Sequence, residues 1–263
     1  MFSVLPVTLA TLLALGVVLY AWGLARVRRA RRPFPRLAIA AYALGLLSVA
    51  GALFGPLDTL SDGSLSWHMV QHLVLVSVCA PLLLLGAPVR LALAALPATP
   101  AASLARALAS PPLRILTHPA FAWLQFAFVL YGVHFSPFYE AALENETIHA
   151  LEHTVFLVSA LVFWTPLLAV APAPHAPSHP VRILALFLAL PMSAFLGFAF
   201  YVTRHVLYAH YAVVPGALAD QQNAGAVMWI AGGAPIFAAL LWCVADWGTR
   251  ERRFETISDG GKG

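Results

Sequence analysis

Long apolar segments separated by short polar connections recur along the whole chain. A membrane-spanning helix needs roughly 20 mostly apolar residues, and seven segments approach that length. They run over Val4–Leu24, Leu37–Phe54, Trp67–Leu85, Pro119–Val133, Ile148–Val170, Val181–Val202 and Ala224–Val244. The fourth is short unless His134 and Phe135 extend it. The pattern therefore predicts an all-α polytopic membrane protein, a bundle of seven transmembrane helices.

The composition agrees with this pattern. Of the 263 residues, 61% are hydrophobic and 10% are charged, whereas soluble domains average about 45–50% apolar and about 25% charged residues. The net charge is +4, but the basic residues cluster in a few connections, which argues against nucleic acid as a partner. We expect residues 1–250 to form a single transmembrane domain and residues 251–263 to form a flexible cytoplasmic tail.

The basic residues fall almost entirely on one side of the predicted bundle. Fourteen of the fifteen Lys and Arg residues lie in the first, third and fifth connections and the C-terminal tail, and only Arg204 lies on the other side. Because positively charged connections stay in the cytoplasm, we expect the N-terminus outside and the C-terminus inside. The first positive cluster follows its apolar stretch, which indicates a retained span and not a signal peptide.

Two histidine pairs have the spacing of metal ligands on a helix. His68 and His72 lie at the start of the third predicted span, and His149 and His153 lie at the start of the fifth. Residues four apart point to one face of a helix, and both pairs occupy the same predicted depth. His134 reaches that depth from the opposite direction. We therefore predict that five imidazoles from three helices converge on one metal site near the outer surface.

The spacing alone leaves the metal open, because imidazole binds zinc, copper, iron and nickel. A single histidine at the end of a span is more often an interfacial or hydrogen-bonded residue than a ligand. Ionisable residues within spans are nevertheless costly and usually functional, and two matched pairs favour the metal interpretation. Cys79 and Cys243 lie inside apolar runs, so we expect them to be buried and inert thiols.

Further polar residues lie near the predicted outer surface. The seventh span begins with Asp220, Gln221, Gln222 and Asn223. Asp220 as an N-cap and a group of side chains that orients the histidine ligands are compatible interpretations of this cluster. The Tyr-rich sixth connection contains two tentative ligands, His205 and His210, for which anchoring in an aromatic belt is an equal alternative.

Two other functions fit parts of the pattern. His149-Ala-Leu-Glu152-His153 matches the H-x-x-E-H motif of inverted zinc peptidases, with Glu152 as general base and Asp220 as a third ligand. That interpretation leaves His68, His72 and His134 unexplained at the same predicted depth. A b-type cytochrome would use His72 and His153 as axial ligands, although histidine pairs that serve two haems usually lie at separate depths.

Three segments carry a resemblance to a known family. They are WHMVQHLVLVSVCAPLLLLGAPV (Trp67–Val89), HFSPFYEAALENETIHALEHTVFLVSALVFWTPLL (His134–Leu168) and DQQNAGAVMWIAGG (Asp220–Gly233). Together they resemble the CtaG-type cytochrome c oxidase assembly factors, which are bacterial seven-span inner-membrane proteins. The resemblance implies that the family's histidine motifs match His68, His72, His134, His149 and His153. It also implies that Asp220, Gln221 and Gln222 match the polar start of the family's last span.

The resemblance implies a role in the maturation of haem–copper oxidases. The expected protein is a multi-pass assembly factor of the bacterial inner membrane and not an enzyme. It would bind copper through the periplasmic-side histidines and help to metallate the catalytic subunit of the oxidase. A periplasmic copper donor is a candidate second partner. Copper is favoured by the resemblance and by ligand softness, while zinc or haem would also suit histidine.

Overall fold

A computed structural model describes residues 4–260 of the chain, with side chains described for residues 7–252. Within those residues the secondary structure is helical and contains no β-strand. A π-helical turn, Leu75–Cys79, joins the fourth helix to the fifth. The α-helices are, in chain order, α1 (Val4–Arg29), α2 (Arg36–Phe54), α3 (Pro56–Asp62), α4 (Leu65–Val74), α5 (Ala80–Leu85), α6 (Pro88–Ala95), α7 (Ala98–Leu108), α8 (Pro111–Leu116), α9 (Pro119–His134), α10 (Pro137–Glu144), α11 (Glu146–Leu168), α12 (His179–Val202), α13 (Ala209–Ala212) and α14 (Ala217–Gly260).

In the described part of the chain, six helical stretches are long and apolar enough to cross a membrane. They are Val7–Arg29, Arg36–Asp62, Leu65–Ala95, Glu146–Leu168, His179–Val202 and Ala217–Arg252. A seventh results if α9 and α10, which are bent by 64° relative to each other, count as one span. The predicted all-α, multi-pass membrane fold is thereby confirmed, and the orientation of the termini stays a prediction.

The fourth predicted span ends in this bend. α9 ends at His134, and Ser136 begins α10 by accepting a hydrogen bond from the backbone N–H of Phe138 at 3.3 Å. Pro137 is at the start of α10, and a proline disfavours helical conformation at the residue before it. A Ser-Pro pair therefore separates the two helices and leaves His134 at a helix end.

The last helix is longer at both ends than the predicted seventh span. α14 begins at Ala217, and its backbone stays helical to Gly260, so it includes residues 251–260 of the predicted tail. Residues 261–263 lie outside the described residues. The division of the chain into a transmembrane domain and a flexible tail stays a prediction.

Two glycines let α12 and α14 pack closely against each other. A Cβ atom on Gly197 would clash with the carbonyl oxygen of Gly225, and a Cβ atom on Gly225 would clash with that of Gly197. Small residues at such a crossing allow transmembrane helices to approach closely. α14 also packs against α4, and α9 packs against α11 and α12. These contacts gather the three helices that carry the predicted histidine ligands into one bundle.

The π-helical turn lies three residues after His72. Its Val76 carbonyl oxygen accepts a hydrogen bond from the indole N–H of Trp164 on α11, at 2.9 Å. An isolated π turn within an α-helix is uncommon and is frequently found at functional sites. Through this hydrogen bond the turn after α4, which carries His68 and His72, contacts α11, which carries His149 and His153.

Candidate metal centre

The structure brings the five predicted histidines together with Glu152. The ring centroids of His68 and His72 lie 4.4 Å apart, and that of His149 lies 5.0 Å from that of His68. The centroid of His72 lies 5.4 Å from that of His153 and 6.1 Å from that of His134. We call this group the histidine chamber, and its members are His68, His72, His134, His149, Glu152 and His153. Their role as metal ligands stays a prediction.

Five of the six chamber side chains are buried, and one is half-buried. The half-buried side chain is that of His149. The exposed fractions of the five buried side chains are 1% for His68, 4% for His72, 4% for His134, 0% for Glu152 and 5% for His153. His149 is therefore the most exposed member of the chamber.

Helix starts place both histidine pairs at the same depth. Asn145 is the N-cap of α11, and its side-chain oxygen accepts hydrogen bonds from the backbone N–H groups of Thr147 at 2.9 Å and Ile148 at 3.2 Å. Ser64 is the N-cap of α4 and accepts from the backbone N–H of Trp67 at 3.3 Å. Each pair therefore lies in the first turns of a capped helix.

Asp220 supports the start of α4 and does not cap its own helix. α14 begins at Ala217, so Asp220 lies within its first turn, and the predicted N-cap role is wrong. Its carboxylate accepts hydrogen bonds from the Ser64 hydroxyl at 3.0 Å and from the backbone N–H of Ser66 at 3.3 Å. Asp220 thus positions the helix that carries His68 and His72, from a place outside the chamber.

The other polar residues of α14 lie outside the chamber as well. Gln221 is buried, where its side-chain oxygen accepts from the backbone N–H of Leu207 at 2.7 Å and its amide donates to the carbonyl oxygen of His205 at 3.0 Å. Gln221 therefore braces the connection that follows α12. Gln222 is half-buried and Asn223 is exposed.

The two tentative ligands of the sixth connection also lie outside the chamber. The side chain of His205 is exposed. The backbone N–H of His210 donates to the Glu140 carboxylate at 2.8 Å, and its ring Nε2 donates to the carbonyl oxygen of Asp62 at 3.3 Å. His210 therefore makes structural contacts outside the chamber, and the side chain of His205 is exposed.

Tyrosines of the same connection contact the chamber instead. The Tyr211 hydroxyl lies 3.0 Å from Nδ1 of His68 and donates to the carbonyl oxygen of Ser61 at 2.8 Å. The Tyr208 hydroxyl donates to the carbonyl oxygen of His134 at 2.8 Å. Burial raises the pKa of Tyr208 and of Tyr211, so both hydroxyls keep their protons. The sequence shows a Tyr-rich connection, but it does not show which of its side chains face inward.

These hydrogen bonds determine where two of the imidazole lone pairs lie. The single proton of the Tyr211 hydroxyl is used on Ser61, so this hydroxyl accepts from the N–H at Nδ1 of His68 and leaves Nε2 unprotonated. Nδ1 of His134 donates to the carbonyl oxygen of Leu130 at 2.7 Å, which also leaves its Nε2 unprotonated. Metal-binding histidines are oriented by this kind of hydrogen bond on the nitrogen that does not bind the metal.

Several buried polar atoms of the chamber have no hydrogen-bond partner among the described residues. They are Nδ1 of His72, Nε2 of His134, His149 and His153, and both carboxylate oxygens of Glu152. The nearest basic atoms to Glu152, at 3.7 Å, are the Nε2 atoms of His68 and His72, which is longer than a hydrogen bond. Buried polar atoms normally have a partner. Imidazole lone pairs around a carboxylate therefore fit a transition-metal cation.

Among the described side chains, two overlapping sets of donors have ligand atoms within 4.8 Å of one another. One set consists of His68, His149 and His153, and the other consists of His68, His72 and Glu152. The first offers three imidazoles, and the second offers two imidazoles and a carboxylate. His68 belongs to both sets.

The geometry disfavours the two other functions weighed from the sequence. Asp220, the third ligand of the peptidase interpretation, is hydrogen-bonded to Ser64 and Ser66. A haem between His72 and His153 would have to displace neighbouring imidazoles. The cavity beside His72 has a volume of about 40 Å³, whereas cofactor pockets typically measure about 300 Å³ or more.

Comparisons with known proteins cover most of the chain. A family model described as cytochrome c oxidase caa3 assembly factor (Caa3_CtaG) matches residues 18–250, which include the whole chamber. An uncharacterized protein of Mycobacterium leprae is 27% identical over 263 residues, covering 95% of this chain and 40% of the relative. Proteins of Mycobacterium bovis and Mycobacterium tuberculosis are each 28% identical over 262 residues, covering 94% of this chain and 40% of each relative. The chain thus spans about 40% of the length of these relatives. No solved structure matches it.

Proposed function

The chain belongs to the cytochrome c oxidase caa3 assembly factor family, and from this premise we propose that its histidine chamber binds copper and helps to load the catalytic subunit of a haem–copper oxidase. Association with oxidase assembly follows from the family. The proposal adds three statements: copper is the cargo, the chamber binds it, and the catalytic subunit receives it.

One observation carries the proposal, namely that buried nitrogen atoms and both carboxylate oxygens of the chamber lack a hydrogen-bond partner among the described residues. Desolvation of an unpaired carboxylate and several imidazoles is unfavourable, and a cation bound among them would offset that penalty. Imidazole suits copper, and copper binds nitrogen sites more strongly than the other common divalent metals. The family favours copper over zinc, because copper is a metal of the oxidase that it serves.

The donor set also suits a cargo that must leave again. Cys79 and Cys243 are buried in two apolar clusters, apart from the chamber, so the ligands of the chamber are imidazoles and one carboxylate. These ligands bind Cu(I) more weakly than a closed cage of thiolates does. A site of this kind can pass its ion to a docked subunit without making or breaking a covalent bond in a substrate. The proposed role is therefore that of an assembly protein and not an enzyme.

The test combines oxidase activity with metal analysis. We expect His72→Ala combined with His153→Ala to abolish oxidase activity while the oxidase polypeptide remains in the membrane. The purified double variant should also lose the copper that the wild-type protein retains. His205→Ala is the matched control, because this histidine is exposed and lies outside the chamber. A double variant that still assembles a fully metallated oxidase would refute the proposal, and zinc in place of copper would refute the choice of metal.

A further inference from the structure

The two donor sets of the chamber differ in exposure and in charge. The outer set, His68, His149 and His153, includes the half-buried His149 and offers three neutral imidazoles. The inner set, His68, His72 and Glu152, is buried throughout and includes a carboxylate. A cation that enters past His149 therefore meets a neutral set first and a negatively charged set second.

His68 makes the two sets mutually dependent. Its Nδ1 donates to Tyr211, so Nε2 is the nitrogen that remains for a metal. The Nε2 lone pair of His68 can coordinate only one metal ion at a time, so it cannot be a full ligand in both sets at once. Nε2 of His68 also lies 3.0 Å from Nε2 of His72, a separation at which a proton lies between the two nitrogens. An ion in the inner set takes the place of that proton.

Electrostatics favours the inner set for the final position of the ion. In the described part of the chain, the basic groups beside Glu152 are the imidazoles of His68 and His72, each at 3.7 Å. A buried carboxylate without a strong partner is unfavourable, and so is a buried cation without a counter-charge. A copper ion bound by Glu152 itself removes both penalties, whereas an ion held by His68, His149 and His153 is not bound by the carboxylate and compensates its charge less.

We propose that copper occupies two positions in succession, an outer one formed by His68, His149 and His153 and an inner one formed by His68, His72 and Glu152. His68 is shared and passes the ion between them. This inference rests on the proposed function and adds an order of events to it. The outer set governs how fast the ion enters, and the inner set governs how tightly it is held.

The test uses the full chain in detergent, with Cu(I) added anaerobically against a competing chelator. Glu152→Gln keeps the shape of the side chain and removes its charge. It is expected to weaken the equilibrium affinity by about 10- to 100-fold, and X-ray absorption should then show an all-imidazole environment for the ion. His149→Ala is expected to slow copper uptake several-fold in stopped-flow measurements. His210→Ala should change neither quantity.

Each result supports or overturns a separate statement. If Glu152→Gln binds copper with the wild-type affinity and absorption spectrum, the inner position is refuted. If His149→Ala takes up copper at the wild-type rate, the outer entry position is refuted. A wild-type protein that binds no copper would overturn the proposed function itself. Elution of the variants as folded monodisperse protein, with wild-type helical circular dichroism, makes these comparisons valid.

Discussion

Arg182 and the histidine chamber are polar regions at opposite ends of α11, and both are buried among apolar side chains. The Arg182 guanidinium donates to the carbonyl oxygen of Leu167 at 2.7 Å and to that of Leu168 at 3.5 Å, and it lies 5.5 Å from the ring centre of Trp242. In the chamber, by contrast, the carboxylate oxygens of Glu152 lack a hydrogen-bond partner among the described residues.

This difference separates a structural polar group from a binding group. The last carbonyl groups of an α-helix need donors from elsewhere, and Arg182 provides them to α11, so its polar atoms are already used. The carboxylate oxygens of Glu152 and several imidazole nitrogens of the chamber have no partner among the described residues, and their best partner is an ion that comes from outside the chain. Removing a side chain should therefore have opposite effects on stability at the two ends of α11.

The largest expected effect is at the structural end. Arg182→Leu leaves the carbonyl oxygens of Leu167 and Leu168 without their donor, and we expect it to lower the free energy of unfolding by about 3 kcal/mol. Reversible unfolding in mixed micelles measures this change. Arg250→Leu is the matched control, because Arg250 is 61% exposed and an exposed ion pair contributes at most about 1 kcal/mol. Equal losses for the two variants would contradict the structural role of Arg182.

The next effect concerns Tyr211, which orients a chamber histidine without belonging to the chamber. Tyr211→Phe removes the acceptor of the His68 N–H, so that imidazole loses its fixed orientation, and we expect copper affinity to fall by about 10- to 100-fold. Chelator competition measures it. Tyr208→Phe is the control, because the Tyr208 hydroxyl contacts the backbone of His134 and not an imidazole. A similar loss for both variants would indicate a general effect of the connection.

A smaller effect of opposite sign is expected for Glu152 in metal-free protein. Glu152→Gln removes a buried carboxylate that has no hydrogen-bond partner in the described structure, and we expect it to raise the free energy of unfolding by about 1 kcal/mol. Thermal unfolding in the presence of a chelator measures this gain. Excess copper should remove the advantage, because the wild-type protein then gains more from binding. A metal-free variant that is less stable than the wild type would show that Glu152 is already compensated.

The smallest effect is expected for the histidines outside the chamber. His205→Ala and His210→Ala should each change copper affinity by less than about twofold, within the range of ordinary surface substitutions. Chelator competition tests this expectation against His72→Ala. A loss as large as that of His72→Ala would add the substituted residue to the ligands and would remove the distinction between chamber and connection.

Local periodicity was enough to predict that each histidine pair shares one helix face, whereas the convergence of the pairs also depends on how the helices pack. His68 and His72, like His149 and His153, are four residues apart on helices, and this spacing fixes their common face whatever the helices pack against. Matching the depth of the two pairs required the span boundaries, which follow from hydropathy. The depth of His134 followed in the same way, because α9 ends at that residue.

The rest depends on contacts that periodicity does not contain. Tyr211 belongs to a connection with no regular repeat, and its partner His68 lies 143 residues earlier in the chain. Asp220 looks like an N-cap from its neighbours, yet its carboxylate binds Ser64 on another helix. The bend after His134 depends on how α10 packs, and its angle of 64° does not follow from a Ser-Pro pair alone.

The bond from Asp220 to the start of α4 has a consequence for genetic experiments. An alanine at this position would loosen the first turn of a neighbouring helix, and the imidazoles of that helix would lose their alignment. In a mutational scan Asp220 would then score with the histidines, although none of its atoms lies in the chamber. Ligand counts taken from loss of activity would therefore exceed the true number, and only spectroscopy of the bound ion would tell a donor from a distant support.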